Sequence, residues 1–323
     1  MNRDDNPASL PTLSVVVPCF NEAEGLANSI ARLSDTLNEL ISSGLVSRQS
    51  FIYCVDDGSS DATWSLIEAG REKYGHICGA RLSRNFGHQS ALTAGLMAVK
   101  DRSDISISID ADLQQDPAAM KDFVIKYLEG AEVVFGVRND RATDTLMKKI
   151  TANSFYRLMA LCGVKIIPNH ADYRLLSQKA MNALSEHTEQ NLFLRAICAQ
   201  LGFKQATVMF DVRERTAGTT KYSLTKMLSL ALNGITSFSV APLRAIAMLG
   251  ALIFCISTAM ACFILFKAVF TTDTVPGWAS TVLPIYFIGG IQILCLGIIG
   301  EYVAQALIGI KKRPRYIVDK ELF

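Results

Sequence analysis

Short apolar runs alternate with amphipathic stretches from Leu13 to Val212, a pattern that predicts an α/β domain built on a mostly parallel sheet. Two long charge-free runs near the C-terminus predict membrane helices behind that domain. Half of the 323 residues are hydrophobic, yet charge is spread evenly through the first two-thirds and almost vanishes from those two runs. The apolar excess therefore belongs to one part of the chain, and the length leaves room for one catalytic-sized domain plus something smaller.

Leu13 to Val17 reads as the first strand, and Asn21 and Glu22 open a helix whose Ile30, Leu33, Leu37, Leu40 and Ile41 recur at helical spacing. Phe51 to Val55 is the second strand, closed by Asp56, Asp57 and Gly58, with a helix beginning near Asp61. A third strand spans Ile77 to Leu82 and precedes a helix from His88 to Val99. The fourth, Ile105 to Ile109, runs into Asp110, with a helix starting at Pro117. Beyond it, Val133 to Val137 reads as a strand, Thr143 to Leu161 as a helix and Lys204 to Val212 as a strand closing the domain.

The expected division is a polar tail over 1–12, the α/β domain over 13–220, a juxtamembrane amphipathic helix over 221–242, two transmembrane helices over 243–310 and a basic tail over 311–323. Leu224, Met227, Leu228, Ala231 and Ile235 recur at helical spacing near Lys221 and Lys226, a pattern shared by interfacial helices and ordinary core-facing ones. Ala245 to Phe266 lacks Asp, Glu, Lys and Arg, and as a helix its 22 residues would cover about 33 Å, the hydrocarbon thickness of a bilayer. Val282 to Ile299 is the second such run, and the connection carries Asp273, Pro276 and Gly277. Arg244 precedes the first run, and Lys311, Lys312, Arg313 and Arg315 follow the second, so the positive-inside rule puts both flanks and both termini in the cytoplasm. The competing reading of the pair is a buried helical hairpin in a soluble protein.

A formal net charge of +2 excludes the phosphate-neutralising surface of a nucleic-acid binder. The eight cysteines form no CxxC and no Cys/His cluster, and they read as reduced, core-packed thiols consistent with cytosolic exposure. The opening MNRDDNPASLP lacks the apolar stretch of a secretory signal, so the first domain is expected to stay where it is made. No GxGxxG follows the first strand and no GxxxxGK[ST] occurs, which removes the main supports for dinucleotide oxidoreductases and P-loop nucleotidases. Neither GxSxG nor HExxH is present, and His76, His88, His170 and His187 have no metal-ligand spacing.

Chemistry concentrates at predicted strand ends. In ISISIDADLQQDP, an extended chain would point Asp110, Asp112 and Gln114 the same way, and hard oxygen donors suit Mg²⁺ or Mn²⁺. The alternative is a polar strand end capping the helix that starts at Pro117. VDDGSS offers Asp56 and Asp57 beside a glycine turn, able to accept from a base or ribose, although Asp-Gly turns are also common loop punctuation. PCFNE, with Pro18, Asn21 and Glu22, ends the first strand similarly, and a parallel sheet gathers such ends along the edge where ligands bind.

Taken in order, VVVPCFNE, VDDGSSD, LSRNFGHQSALTAG, DADLQQDP, ADYRLLS and RTAGTTKYS resemble the motifs of family 2 glycosyltransferases. More narrowly, the chain from Leu13 to Tyr316 is similar to polyprenyl-phosphate glycosyltransferases, the group of bactoprenol glucosyltransferases and dolichyl-phosphate mannose synthase. The resemblance implies a GT-A fold and a membrane-anchored enzyme at the bacterial cytoplasmic membrane, moving a sugar from a UDP-sugar to undecaprenyl phosphate with Mg²⁺ or Mn²⁺ for cell-envelope glycan modification. It carries nucleotide contacts onto Pro18, Asn21, Glu22, Asp56, Asp57 and Asp110, and metal binding onto Asp110, Asp112 and Gln114. Arg138 matches a basic position near the donor diphosphate, and Asp112, Asp172 and Arg138 are the expected catalytic set. Asp172 and Arg174 match the acceptor motif, and Arg215, Lys221 and Tyr222 a loop over the site, so that Arg174, Arg215, Lys221 and Tyr222 are expected to hold the acceptor phosphate. His170 and Ala171 depart from the small and polar residues expected before Asp172, which leaves the detailed role of Asp172 open.

Glucose is the first-choice sugar, with N-acetylglucosamine, galactose and modified pentoses open. Gly289, Gly290, Gly297 and Gly300 would let the second span pack against another copy. A processive polysaccharide synthase is disfavoured because QxxRW is missing, and a catalytically silent nucleotide-sugar-binding adaptor because Asp110 and Asp112 are intact. A transporter fails on span number unless several chains assemble, and the charged residues lie outside the spans rather than within them.

Overall fold

A computed structural model of the chain describes residues 10–139, 170–187, 194–211, 278–311 and 313–323, with isolated helical positions between 243 and 259. The described strands are β1 (Leu13–Cys19), β2 (Phe51–Asp56), β3 (Ile77–Leu82), β4 (Ile105–Ser108), β5 (Val133–Arg138), β6 (His170–Ser177), β7 (Gln205–Phe210) and β8 (Val318–Leu322). The helices are α1 (Leu26–Ser42), α2 (Thr63–Tyr74), α3 (His88–Val99), α4 (Met120–Leu128), α5 (Gln178–Ser185), α6 (Leu194–Gln200) and α7 (Trp278–Ile310).

One sheet orders the strands β7-β5-β6-β4-β1-β2-β3-β8. β1 to β4 pair in parallel, β6 runs antiparallel to both β4 and β5, and β8 runs antiparallel along β3. The α/β, mostly parallel expectation therefore holds, with β6 and β8 reversed. β1 is buried at every position, as a strand must be when helices cover both faces of the sheet. Its Pro18 is tolerated because the adjoining β4 ladder ends at Val16 and Ser108, so no partner strand misses the absent amide.

α1 buries Ile30, Leu33, Leu37 and Leu40 of the stripe that the spacing predicts, with Leu26 added at its start and Ile41 only partly buried against the core, each fully buried side chain contributing roughly 1.5–3 kcal/mol. It begins at Leu26 rather than at Asn21 because Asn21 has a left-handed φ of 54° and is still turning the chain. α3 packs tightly on the sheet at Gly95, where an added Cβ would come within 2.4 Å of a Val16 methyl and 2.9 Å of a Val55 methyl.

Two strands escape the sequence pattern. β6 carries Asp172 and Arg174 among apolar residues, which breaks the look of a buried strand. β8, VDKEL, is polar and largely exposed, as edge strands commonly are. It is pinned by Phe323, whose ring lies 5.1 Å from that of Tyr53 and beneath the Arg102 guanidinium at 3.4 Å. What reads as a basic tail over 311–323 thus ends as part of the sheet.

The sheet and β8 belong to one compact unit and α7 to another. α7 has 33 residues with Glu301 as its one charged side chain, and at 1.5 Å per residue it is about 50 Å long. Among the described residues, which omit several α7 side chains, no helix is long and apolar enough to cross a membrane. Predicted helix 143–161, the amphipathic stretch 221–242 and most of the first apolar run fall outside the described residues.

Replacing Gly95 by Ala should overpack the α3–sheet contact and destabilise the domain by about 1–3 kcal/mol. The expected readout is a lower denaturation midpoint for the Gly95→Ala protein than for its parent.

Candidate functional site

Consecutive strand C-termini meet at one edge of the sheet. In register, Cys19 of β1 lies beside Asp56 of β2, and the Asp57 amide donates to the Cys19 carbonyl at 2.8 Å. The loops that follow are tied together. Asn21 Oδ1 accepts from the Ser60 amide at 3.0 Å, the Asn21 amide donates to Ser59 Oγ at 2.9 Å, and the Glu22 amide donates to Thr63 Oγ1 at 3.0 Å.

Asp56 and Asp57 serve this edge from within. Asp56 is fully buried, accepts from the Ser59 amide at 2.9 Å and lies 3.5 Å from the Arg81 guanidinium. Asp57 accepts from the Phe86 amide at 2.7 Å and the Gly87 amide at 2.9 Å. Burial pushes the Asp57 carboxyl above its usual range, against the pull of those two amides. Between the loops, Gly58 has φ +66°, and a Cβ there would sit 2.3 Å from the Arg84 carbonyl carbon, so glycine is required.

The acidic stretch after β4 is not extended. β4 stops at Ser108, the Leu113 amide donates to the Asp110 carbonyl at 3.1 Å, and Leu113 has φ 47°. Alternation along a strand therefore does not align Asp110, Asp112 and Gln114, and the premise of that alignment is corrected. A turn presents them instead: Asp110 Oδ2 accepts from Gln115 Nε2 at 2.5 Å, while Asp112 Oδ1 accepts from the Gln114 amide at 3.3 Å. Asp112 is exposed, whereas Asp110 keeps 35% of its side chain open. Burial, joined by the nearby Asp172 and Asp112 charges, pushes the Asp110 carboxyl up.

β6 brings the counterpart. Ser108 pairs with Arg174 across the β4–β6 ladder, which carries Asp172 past the end of β4 to the side where Asp110 emerges. Asp172 accepts from Arg174 Nη2, from Arg195 Nε at 3.2 Å and Nη2 at 3.0 Å, and from Gln89 Nε2 at 3.4 Å. His88 Nε2 stands 3.5 Å from Asp172 Oδ2 and 3.7 Å from Asp110 Oδ1, at the outer limit of hydrogen bonding and within ion-pair range. Arg174 is fully buried, with Nη1 against Cys198 Sγ at 3.6 Å.

The charges decide the protonation states. Burial would raise the Asp172 carboxyl, but the His88 contact and the two guanidiniums overcome it and hold the group well below the carboxylate range. Burial would likewise depress His88, yet its contact with Asp172 and the charges of Asp110 and Asp172 raise it. The result is an ionised carboxylate with a cationic bias on three sides.

Asp110 and Asp172 are thus brought to one cluster, while Asn21, Glu22, Asp56 and Asp57 form the adjacent loop brace and Pro18 pairs with Val55 just before the ends of β1 and β2. Arg138 ends β5 with an exposed side chain and makes no ion pair with the cluster among the described residues. Arg174 is buried behind Asp172, so as the structure stands its guanidinium faces the protein rather than a ligand. Arg215, Lys221 and Tyr222 lie outside the described residues. His88, Gln89, Gln115 and Arg195 join the cluster without having been singled out by sequence, although LSRNFGHQSALTAG and DADLQQDP contain the first three.

Residues 14–185 match the family model of glycosyl transferase family 2. An uncharacterized glycosyltransferase of Bacillus subtilis, YkoT, is 48% identical over 315 residues, covering 98% of this chain and 93% of its own. An uncharacterized glycosyltransferase of Synechocystis is 37% identical over 308 residues, covering 95% and 94% respectively. A prophage bactoprenol glucosyl transferase homolog of Escherichia coli is 35% identical over 309 residues, covering 95% of this chain and 98% of its own.

Asp172→Asn should leave the Arg174 guanidinium buried without its counter-charge and cost about 3–5 kcal/mol at neutral pH. Because the folded-state pKa of Asp172 is depressed, its contribution is present above the unfolded value near 4 and disappears as pH falls through the folded one. Acid unfolding curves should therefore show a shallower loss of stability below about pH 4 in the variant than in its parent.

Proposed function

The chain belongs to glycosyl transferase family 2, and from that membership we propose that it transfers a hexose, glucose first, from a UDP-sugar to the phosphate of a polyprenyl carrier such as undecaprenyl phosphate. One observation carries the choice of acceptor. Asp172, the carboxylate on the acceptor motif, is locked in its ionised form by Arg174, Arg195 and His88 and is a poor proton acceptor. An alcohol acceptor would need a base there. A phosphate monoester, with a second pKa near 6, arrives already ionised and needs none. The name of the E. coli relative, a bactoprenol glucosyl transferase homolog, supports the same carrier chemistry.

In this reading Asn21, Glu22 and the loop braced by Asp56 and Asp57 receive the nucleotide, with Pro18 shaping the floor. Asp110 and Asp112 fit a divalent ion such as Mg²⁺ or Mn²⁺: they are hard oxygen donors on one turn, and an ion shared with substrate phosphates needs only one or two protein carboxylates. Gln114, on the same turn, is the proposed third ligand. When bound, the ion would neutralise charge growing on the departing nucleoside diphosphate. Arg138 adds positive charge from the β5 end, Asp172 orients the sugar or acceptor, and Arg215, Lys221 and Tyr222 hold the lipid phosphate. Attack by the phosphate oxygen on the anomeric carbon, in line with the leaving diphosphate, inverts that carbon.

The lipid acceptor asks for a membrane, and the charge-free runs 245–266 and 282–299 supply two spans, the second within α7. Arg244, Lys311, Lys312, Arg313 and Arg315 flank them against Lys267 in the connection, which places both termini and the catalytic domain in the cytoplasm. The stretch 221–242 would lie in the headgroup layer, and glycines of the second span would pack against another copy.

The test is transfer of radiolabelled sugar from a panel of UDP-sugars into organic-extractable undecaprenyl phosphate, with and without Mg²⁺ or Mn²⁺. Metal-dependent labelling from one donor is expected, and Asp112→Asn should reduce it by at least a hundredfold without loss of membrane insertion. Absence of labelling from every donor would favour an adaptor, and undiminished turnover by Asp112→Asn would remove the metal assignment.

A further inference from the structure

The turn after β4 is fastened from outside at two points and closed on itself at a third. Ser29 of α1 donates its hydroxyl to the Ala111 carbonyl at 2.7 Å, and Tyr173 of β6 donates its hydroxyl to the Asp116 carbonyl at 3.1 Å. Ala111 and Leu113 belong to the hydrophobic core. Between these anchors the positive φ of Leu113 bends the chain, and Gln115, only 2% exposed, returns to Asp110. Its Oε1 accepts from the Asp110 amide at 3.3 Å, and its Nε2 donates to Asp110 Oδ2 at 2.5 Å. Only this orientation of the side-chain amide makes both bonds, since a carbonyl oxygen has no proton to give a carboxylate. One buried side chain therefore grips both the backbone and the carboxylate of the same aspartate.

We propose that Gln115 is a positioning residue that sets ion selectivity: by occupying Asp110 Oδ2 it leaves Oδ1 as the single oxygen this carboxylate offers, which favours Mg²⁺ or Mn²⁺ over Ca²⁺. The inference rests on the metal assignment in the proposed function. The two oxygens of Asp110 are held unequally, because Oδ1 is 3.7 Å from His88 Nε2, in ion-pair range rather than hydrogen-bonded. Ca²⁺ accepts roughly six to eight oxygens in a flexible shell and often takes both oxygens of one carboxylate. Mg²⁺ demands a near-octahedral shell at about 2.0–2.1 Å, and the oxygens of one carboxylate stand too close together to fill two of its corners. Donation through one oxygen also leaves positions on the ion for substrate phosphates. Gln115 is suited to enforce it, since the anchored turn fixes its backbone and burial leaves its amide few other partners.

The test measures ion affinity on full-length protein in the presence of UDP, from the electron paramagnetic resonance signal of free Mn²⁺ with Mg²⁺ and Ca²⁺ as competitors. The parent should bind Mg²⁺ more tightly than Ca²⁺. Gln115→Met, which keeps the volume and removes both hydrogen bonds, should lower that preference by about tenfold or more. Gln115→Asn, one methylene too short to reach both groups, should shift it the same way, so the outcome does not hang on one variant folding. Ser29→Ala loosens the turn without touching the Asp110 carboxylate and should change the affinity for both ions by the same factor. A parent that prefers Ca²⁺, a smaller loss of preference in both Gln115 variants, or an equal loss in Ser29→Ala overturns the role of Gln115. Mn²⁺ binding that is absent from the parent, or undiminished in Asp112→Asn, removes the metal assignment and this inference with it. The expected change in preference without any sugar transfer to lipid sustains the role of Gln115 and overturns the transfer reading alone.

Discussion

The buried pairing of Asp172 with Arg174 is the constraint around which the site is arranged. A fully buried guanidinium is tolerated only with its counter-charge in place, because desolvation outweighs any isolated charge. β6 runs antiparallel between β4 and β5 and carries both partners two residues apart on one face of the strand. The pair is thereby fixed at the sheet edge where β1, β2 and β4 also end, and Arg195 of α6 closes on the same carboxylate from another side.

Such a pair is a weak source of stability, since an apolar pair of similar volume would serve the core as well or better. Its value here lies in protonation and position. Held ionised, Asp172 presents a fixed negative charge and hydrogen-bond acceptors. The neighbouring Asp110 differs: burial pushes it up while Gln115 and His88 draw it down, so the two carboxylates occupy opposed electrostatic environments within one cluster.

The sheet and its first four strands were legible in sequence because β1, β2, β3 and β4 are apolar runs between amphipathic helices, and the stripe Ile30, Leu33, Leu37 and Leu40 carried its own period. β6 was not, because the charges that matter to the site interrupt its apolar pattern, and β8 was not, because an exposed edge strand has no face to bury. In the site, residue types were readable and their directions were not. DADLQQDP announced carboxylates, but the positive φ of Leu113 turns the backbone where an extended reading needs it straight. His88 is readable as a helix start without metal-ligand spacing, but its contacts come from strands far apart in sequence. Arg195 lay in no quoted motif at all.

Asp57 shows how one residue serves fold and site together. Read as a nucleotide contact, it is engaged in the structure with the Phe86 and Gly87 amides, and so determines where α3 begins. That engagement makes any effect on nucleotide binding partly indirect: shifting Asp57 would shift Gly87, and with it His88 and Gln89, which reach the second and third carboxylates. Gly58, pressed against the Arg84 backbone, removes the slack that would let the loop absorb such a shift. The loop after β2 and the Asp172 carboxylate are therefore linked through the start of α3, and a change at either is expected to be felt at the other.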